Sequence, residues 1–324
     1  MLDVDLLIIG AGPTGLYGAY YAGFRGFRTA VVDSLPEAGG QVTAMYPEKM
    51  IFDVAGFPAI RGRELVEQLV EQAGQFSPHY LLGEGAERLE RCDDGSMMVQ
   101  TNAGTQIHCR AIVITGGLGT FTPRPLPAGS DWLGRGLTYF VTKLAEHEGR
   151  DVVIVGGGDS AFDWALNLHP LARSVTLVHR RDRFRAHEHT VRQVTDLGVP
   201  ILTFHEVDEI TGTDRVEKVV VRHTRSGEMV TLPAQTVIAA LGFTADLGPL
   251  TGWGLALERK QILVDTTMAT NLPGIFAAGD ITEYPGKVRL ISVGFGEVAT
   301  AVNNAAVVID PSAHVFPGHS SAAG

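Results

Sequence analysis

The sequence predicts an α/β protein built from two Rossmann-like, three-layer βαβ domains, the second inserted within the first. A short apolar strand, a glycine-rich turn and a helix occur at 5–24 and recur at 151–168. A further apolar strand ending in glycine, Gly274–Asp280, comes after the second unit. Short, continuously apolar strands are typical of parallel sheets that are buried on both faces. The late strand indicates that the chain returns to its first domain.

The pattern also gives the expected domain bounds. The first domain is predicted to comprise residues 1–117 and 244–324, and the second residues 118–243. The segment 118–136 is rich in Pro and Gly, as hinges often are, and 241–243 is the expected return crossing. One strand is predicted over 107–114, and the last helix is predicted to begin near Gly296.

Composition excludes several classes of protein. The 324 residues carry a formal net charge of −10, which argues against a nucleic-acid or anionic-membrane binder. Apolar runs have strand length, so no transmembrane helix and no leader is expected. Two cysteines, Cys92 and Cys109, form neither a disulfide framework nor a Cys-x-x-Cys motif. The expected location is cytoplasmic, in a reducing compartment.

The first glycine motif is Gly10-Ala-Gly12-Pro-Thr-Gly15. Gly10 permits the tight turn, Gly12 lets the backbone approach a pyrophosphate, and Gly15 lets helix and strand pack closely. Pro13 and Thr14 open the helix whose N-terminus faces the phosphates. Asp33 ends the next strand, where an acid accepts hydrogen bonds from an adenosine ribose. Strand, helix and acid in register predict a dinucleotide site.

The second glycine motif is Gly156-Gly-Gly158-Asp159-Ser160-Ala161, with alanine at the third position, as the pattern allows. Its next strand ends not in an acid but in His179-Arg180-Arg181, with Arg185 one turn further on. Guanidinium groups bind a 2′-phosphate that a carboxylate would repel. This site is therefore predicted to bind NADPH or NADP⁺ rather than NAD(H).

The third motif is the strand that ends in Gly279-Asp280. It fits a carboxylate that reaches the ribityl chain of a flavin, so the first site is predicted to hold FAD. The helix expected to begin within 294–300 could stabilise negative charge on reduced flavin.

Together these motifs resemble the two-dinucleotide-binding flavoprotein superfamily over nearly the whole chain. Gly39-Gly40-Gln41 and Ala278-Gly279-Asp280 are similar to thioredoxin reductases, which implies that Gly40 and Gln41 contact the flavin. The redox Cys-x-x-Cys that those enzymes carry before the second glycine motif is missing, so thiol exchange lacks its nucleophile.

The chain more closely resembles the thioredoxin-reductase-like ferredoxin–NADP⁺ reductases. Four stretches carry this resemblance: Tyr46–Lys49 with Phe52–Pro58, Gly157–Ser160 with Asp163–Leu166, His179–His189, and a tail with Pro317–Ser321. The resemblance implies that Tyr46 lies on one flavin face and that His319 covers the other, with Ser320 or Ser321 near flavin N5. It also implies a homodimer, in which the tail covers either the flavin of its own subunit or that of the partner subunit.

The implied activity is hydride transfer from NADPH to FAD, followed by single-electron transfer to a ferredoxin or flavodoxin. Domain rotation about the two hinge segments is expected to bring the nicotinamide to the flavin. Quinone, free flavin or a disulfide are alternative acceptors, of which the missing Cys-x-x-Cys disfavours the last. A non-catalytic flavin or NADP sensor is a third class, disfavoured because two sites with opposite ribose chemistry imply transfer between them.

Two further patterns have weaker interpretations. His187-Glu-His189 is not a zinc motif, because i, i+2 spacing on a helix points the rings apart, and no metal site is predicted. Arg61, Arg63, Lys287 and Arg289 are candidates for docking an acidic protein, or ordinary solvated charges.

Overall fold

A computed structural model describes residues 1–117, 119–316 and 318. The chain divides into two compact units. Unit 1 consists of Met1–Ala44, Met50–Thr120 and the chain from Ala245 onward, and unit 2 of Met45–Lys49 and Phe121–Thr244. Most of unit 2 thus interrupts unit 1, as the recurring strand pattern predicted. The short segment Met45–Lys49 also groups with unit 2.

The α-helices are α1 (Pro13–Phe24), α2 (Gln41–Met45), α3 (Gly62–Gly74), α4 (Asp159–Leu168), α5 (Glu188–Asp196) and α6 (Ile291–Ile309). The strands of the first half of the chain are β1 (Leu2–Asp3), β2 (Leu6–Ile9), β3 (Thr29–Asp33), β4 (Met50–Ile51), β5 (Ile60–Arg61), β6 (His79–Leu82), β7 (Ala86–Arg91), β8 (Met97–Thr101), β9 (Gln106–Cys109), β10 (Ala111–Ile114), β11 (Thr120–Pro123), β12 (Leu137–Thr138) and β13 (Asp151–Val155). The remaining strands are β14 (Ser174–His179), β15 (Ile201–Thr203), β16 (His205–Gly212), β17 (Val216–His223), β18 (Met229–Pro233), β19 (Thr236–Ala239), β20 (Phe243–Asp246), β21 (Leu257–Glu258), β22 (Gln261–Leu263), β23 (Ile275–Ala277) and β24 (Thr282–Glu283).

Unit 1 is built on a five-stranded parallel sheet of order β23-β10-β2-β3-β6. Side chains on one face pack with buried residues of α1, α3 and α6. Side chains on the other face pack with a four-stranded sheet of order β1-β9-β8-β7. Strand β2, Leu6–Ile9, is apolar and buried at every position. Because successive residues of a strand point to opposite faces, it contributes side chains to both of these packed layers.

Unit 2 repeats this three-layer plan with fewer helices. Its parallel sheet has the order β12-β19-β13-β14-β15. One face packs with α4 and α5, where Phe162 and Leu168 are fully buried. The other face packs with the antiparallel sheet β16-β17-β18. The predicted α/β fold, with one Rossmann-like unit inserted into the other, is confirmed.

Two predicted elements differ from the structure. The single strand expected over 107–114 is two strands, β9 and β10, separated at Arg110 and placed in different sheets. Every residue of β10 is buried, whereas β9 alternates, so the two halves meet different surroundings. The last helix, α6, begins at Ile291, one turn before the predicted Gly296.

Helix α6 is the one helix of the described residues that is long and apolar enough to cross a membrane by length and composition alone. Its buried side chains, among them Val298, Val302 and Ile309, pack in the helical core of unit 1. The apolar composition is therefore accounted for by burial inside the unit.

Candidate functional site

The first glycine loop links β2 to α1 and is closely packed at two of its three glycines. A Cβ built on Gly10 would lie 2.5 Å from the carbonyl oxygen of Thr115, and Gly10 has a φ of +115°. A Cβ on Gly15 would collide with the carbonyl oxygen of Gly10. Gly12 differs, because nothing lies within 4 Å of a Cβ built there. The loop therefore presents open backbone at Gly12, where the motif requires a pyrophosphate to approach.

Asp33 closes this loop from the neighbouring strand. Its carboxylate accepts hydrogen bonds from the backbone N–H groups of Ala11, at 2.6 Å, and Leu35, at 2.8 Å. Burial raises the pKa of Asp33, while those two hydrogen bonds act in the opposite direction. The sequence singled out Asp33 as a ribose acceptor, and the structure adds that it holds the glycine loop.

Two further segments, 39–41 and the turn at Gly279, meet the first loop. Gly39 N–H donates to the carbonyl oxygen of Ala11 at 2.7 Å, and a Cβ on Gly40 would lie 3.0 Å from Gly12 Cα. Gln41 begins α2. Thr14, in the first turn of α1, contacts Gly279, where a built Cβ would lie 3.1 Å from Thr14 Oγ1. The first glycine loop, Asp33, the pair Gly40 and Gln41, and the pair Gly279 and Asp280 are thus brought together in unit 1.

Asp280 lies three residues after the end of β23, on a turn in which Gly279 has a φ of +83°. Burial raises the pKa of Asp280, whereas the positive charges of Lys287 and Arg289 lower it and Glu297 raises it further. The carboxyl group is therefore partly desolvated at the place where the sequence predicted a contact to the ribityl chain.

Sequence reasoning missed a buried charged cluster beneath this turn. Lys287 Nζ lies 2.5 Å from Glu297 Oε1, with side chains only 1% and 5% exposed. Tyr284 donates its hydroxyl proton to the same oxygen at 2.5 Å, and burial together with Glu297 raises the pKa of Tyr284 to about 12. The sequence did offer one signal for this cluster: Glu297 is the single ionisable residue in the otherwise uncharged helix α6.

This cluster corrects one interpretation of the basic residues. Lys287 was a candidate for docking an acidic protein, and that expectation is wrong because its side chain is buried in an ion pair. Arg289 is more exposed and pairs with Glu283 at 2.7 Å. Arg61 lies 3.8 Å from Glu64 in the capping box of α3. These arginines have local partners at the surface.

The second glycine loop links β13 to α4 in unit 2. A Cβ on Gly156 would collide with the carbonyl oxygen of Ala240 and lie 3.1 Å from Ala161 Cβ. Gly158 resembles Gly12, since nothing lies within 4 Å of a Cβ built there. Asp159 and Ser160 are exposed in the first turn of α4, and Ala161 is fully buried. A methyl group therefore fits at the third position here.

The basic segment after β14 folds over the second loop. The His179 ring packs against Gly157, where a Cβ would collide with it, and Arg185 N–H donates to the carbonyl oxygen of Gly157 at 2.7 Å. Asp159 Oδ1 accepts the backbone N–H of His187 at 2.9 Å. Burial lowers the pKa of His179, and the charges of Arg180 and Arg181 lower it further, which favours the neutral ring.

The guanidinium groups at this loop face solvent. Arg180, Arg181 and Arg185 are exposed, and within the described ranges no carboxylate forms an ion pair with them. Unpaired arginines beside an open glycine loop can bind a phosphate group with charge-assisted hydrogen bonds. The geometry fits a phosphorylated ribose better than a bare one.

Of the residues predicted to flank the flavin, the structure describes Tyr46 alone. Tyr46 belongs to unit 2 and packs against the core on the α4 side of its sheet. The same segment is tied to α4 by an ion pair of 2.5 Å between Lys49 and Asp163. His319, Ser320 and Ser321 lie outside the described residues. The described part of the chain contains no group of three or more His, Cys, Asp or Glu side chains that could hold a metal ion.

Comparison with known proteins agrees with this geometry. Residues 4–305 match the family model described as pyridine nucleotide-disulphide oxidoreductase. The chain is 67% identical to a ferredoxin–NADP reductase of Frankia alni over 316 residues, which covers 98% of both chains. It is 64% identical to a ferredoxin–NADP reductase of Nocardioides sp., covering 99% of this chain and 97% of the relative.

Solved structures show the same fold. The thioredoxin reductase of T. acidophilum superposes with a TM-score of 0.79 at 26% identity, covering 96% of this chain and 99% of that one. The thioredoxin reductase of Lactococcus lactis gives 0.78 at 26% identity, covering 94% and 99%. The chain therefore belongs to the pyridine nucleotide-disulphide oxidoreductase family, in the branch to which these ferredoxin–NADP reductases belong.

Proposed function

We propose that this protein is an FAD-dependent oxidoreductase that moves electrons between NADPH and a one-electron protein carrier, a ferredoxin or flavodoxin. The observation that carries the proposal is the contrast between the two glycine loops. One lies beside a half-buried carboxylate, that of Asp33, and the other beside exposed, unpaired arginines. Relatives of 64–67% identity bear the name ferredoxin–NADP reductase.

FAD would be held by unit 1. The open backbone at Gly12 and the N-terminus of α1 fit its pyrophosphate. Asp280 fits the ribityl chain. Gly40, which lies against Gly12, and the neighbouring Gln41 would complete the cradle. Asp33 fits the adenosine ribose, although it already accepts two backbone hydrogen bonds, because a carboxylate has about four lone-pair sites.

NADPH would bind unit 2. Gly158 leaves room for its pyrophosphate at the start of α4, and Arg180 and Arg181 would neutralise the 2′-phosphate. Neutral His179 packs beneath this segment and supports the loop through a contact between its ring nitrogen Nε2 and the carbonyl oxygen of Arg183, at 3.2 Å. Recognition therefore depends on the two arginines and not on histidine charge.

The chain supplies orientation rather than acid or base catalysis. When bound, FAD supplies the ability to exchange two electrons with a nicotinamide and one electron with a protein carrier. The two glycine loops bind and orient the dinucleotides, and Asp33 and Asp280 fix contacts along the first. The ring of Tyr46 would shield one flavin face from water.

A disulfide acceptor is disfavoured by the cysteine inventory. The sequence has two cysteines, and neither belongs to a Cys-x-x-Cys pair. Burial raises the pKa of Cys109 to about 12, which leaves it without reactive thiolate at neutral pH. Quinone and free flavin need no such nucleophile, so they are the acceptor alternatives that the test below must separate.

The described part of the tail is anchored at the end of α1. Arg25 follows the last residue of α1 and donates hydrogen bonds to the carbonyl oxygens of His314, at 2.9 Å, and Val315, at 3.0 Å. The first glycine loop lies at the other end of α1, about 18 Å away along a 12-residue helix. As the resemblance to ferredoxin–NADP⁺ reductases implies, we propose a homodimer in which His319 covers the flavin of a partner subunit, with Ser320 or Ser321 near N5.

The cysteine content fits a cytoplasmic location. With two unpaired cysteines and no disulfide, the protein fits the reducing cytoplasm.

The two chain crossings, β11 and β20, pair as a two-stranded sheet, which makes them suitable as one hinge about which unit 2 rotates. A disulfide engineered across this pair is expected to slow flavin reduction by NADPH, and unchanged reduction would contradict the rotation.

The proposed function is tested by following NADPH-driven reduction of cytochrome c with and without ferredoxin. Ferredoxin is expected to stimulate the rate strongly, because it accepts single electrons from the flavin. Matched reactions contain thioredoxin with a disulfide reporter, a quinone, or free flavin. Stimulation by one of these and none by ferredoxin would contradict the acceptor assignment.

A further inference from the structure

An ion pair in unit 1, between Lys287 and Glu297, is almost completely removed from water. Lys287 lies in the loop before α6, Glu297 lies within α6, and their charged atoms are 2.5 Å apart. Burying two charges costs solvation free energy that their attraction offsets only with good geometry and added hydrogen bonds. An apolar pair would often stabilise a fold equally well. The position of this pair therefore requires a reason beyond stability.

The pair holds both backbone polar groups of Gly279. Glu297 Oε2 accepts the Gly279 N–H at 2.7 Å, and Lys287 Nζ donates to the Gly279 carbonyl oxygen at 2.9 Å. Thr282 also donates its hydroxyl proton to that carbonyl oxygen, at 2.8 Å. These contacts fix the peptide planes on either side of Gly279, including the plane that leads to Asp280.

The same turn is confined on its other side by the first glycine loop. Gly279 has a left-handed φ of +83° and packs against Thr14, as does Gly294 in the first turn of α6. A change at Lys287 or Glu297 would therefore move Asp280 relative to Thr14 and Gly12. In the proposed function, these are the groups that line the ribityl chain and the pyrophosphate.

We infer that Lys287 and Glu297 are positioning residues for the flavin, which fix the Gly279–Asp280 turn and balance the charge beside it. The inference rests on the proposed function, since it assumes FAD in unit 1. With both partners ionised, the pair contributes no net charge. Loss of the lysine leaves an extra anion, and loss of the carboxylate leaves an extra cation.

The test compares Lys287→Met, Glu297→Gln and the double variant with the unaltered protein. Lys143→Met is the matched control, because it removes one lysine from an exposed pair with Glu146 in unit 2. For each protein, the dissociation constant of FAD is measured by adding FAD to the apoprotein and following flavin fluorescence. The midpoint potential of the bound flavin is measured by equilibration with a reference dye.

Lys287→Met is expected to weaken FAD binding about 10- to 100-fold, the effect of losing a charge-assisted hydrogen bond at the turn. It should also lower the midpoint potential, because the unbalanced Glu297 disfavours negative charge on the reduced flavin. Glu297→Gln should raise the potential. A tenfold change in the relative affinity for reduced and oxidised flavin corresponds to about 30 mV for a two-electron couple. The double variant should return towards the original potential, and Lys143→Met should change neither quantity.

Opposite shifts of the potential support the inference, because a purely structural defect does not depend on the sign of the charge removed. Shifts in the same direction, no shift, or unchanged FAD affinity would overturn it. If Lys287→Met does not fold, Glu297→Gln and the double variant still show whether the direction of the shift in midpoint potential follows the charge that is removed. Failure of the unaltered protein to bind FAD would refute the proposed function instead, and so the two failures are distinguishable.

Discussion

The two glycine loops follow one sequence pattern but differ in how they are closed. In unit 1, the loop is enclosed by Asp33, Gly39 and Gly279, and the ion pair that holds Gly279 is buried. In unit 2, the loop lies beside a segment whose arginines are exposed. We interpret the first as the site of a cofactor that stays bound and the second as the site of one that exchanges. The difference teaches that the motif itself does not specify the ligand, whereas the surrounding charges and burial do.

The largest expected effect comes from adding one methyl group at the third position of the glycine loop in unit 1. Gly15→Ala places a Cβ against the carbonyl oxygen of Gly10, which is backbone and cannot turn away. Overpacking of this kind costs about 3 kcal/mol of the free energy of unfolding. The expected result is a protein that loses its flavin. Flavin absorbance per chain and thermal unfolding measure it.

The matched change in unit 2 is Ala161→Gly. Removing this buried methyl group from α4 should cost about 1 kcal/mol through helix propensity and leave FAD content unchanged. Equal losses of flavin in Gly15→Ala and Ala161→Gly would show that the two loops do not hold different ligands.

The next effect concerns the phosphorylated ribose. Arg180→Ala with Arg181→Ala removes two charge-assisted hydrogen bonds and should raise the KM for NADPH about 100-fold. The KM for NADH should change little, because NADH lacks the 2′-phosphate. Steady-state assays with both nucleotides measure the ratio. An equal rise for both nucleotides contradicts the assignment of the phosphate contact.

A third, smaller effect concerns Asp280. Because its carboxyl pKa is raised by burial, the folded protein binds a proton more tightly than the unfolded chain does. Stability of the apoprotein should therefore fall as pH rises from the ordinary value of 3.8 through the raised pKa. Asp280→Asn should flatten this fall while weakening FAD binding about tenfold, through loss of a hydrogen bond to a charged acceptor.

Chemical unfolding of apo Asp280→Asn at a series of pH values checks this prediction, with the unaltered apoprotein beside it. A pH slope that is unchanged by the substitution would mean that another group titrates in this window. Asp33 is the first alternative, because its pKa is raised in the same direction.

The smallest effect is expected at Arg25. Arg25→Ala removes two exposed hydrogen bonds to the tail and one partly buried hydrogen bond to Asn303 in α6, so the free energy of unfolding should change by about 1 kcal/mol. The tail should nevertheless be cleaved faster by limited proteolysis, which mass spectrometry resolves. Arg28→Ala, which loses exposed pairs with Asp3 and Asp5, is the control. Equal cleavage in the two variants would argue against Arg25 as the anchor of the tail.

Local patterns made the fold and both loops predictable. A continuous apolar strand, glycines at fixed spacing and a helix all occur within about 25 residues, so predicting the loop requires no knowledge of long-range contacts. The recurrence of the pattern at Gly156, followed by the late strand at Gly274, was enough to predict the inserted second unit.

Long-range contacts account for what sequence did not reveal. Lys287 meets Glu297 only after α6 packs on the sheet, and a lysine between Gly and Val appears solvated until then. The break at Arg110 depends on two sheets that diverge between β9 and β10. Tyr46 groups with unit 2 through packing and the nearby pair of Lys49 with Asp163, none of which the spacing of the motif encodes. The assignment of Tyr46 and His319 to the two flavin faces stays a prediction.

The central claim is that the two glycine loops bind different dinucleotides. Its most direct test is a crystal structure of the protein with FAD and NADP⁺. The account predicts the FAD pyrophosphate at Gly12 and the NADP⁺ pyrophosphate at Gly158. It further predicts the 2′-phosphate of NADP⁺ within hydrogen-bond distance of Arg180 or Arg181. The same dinucleotide in both loops, or a 2′-phosphate turned away from these arginines, would contradict the account.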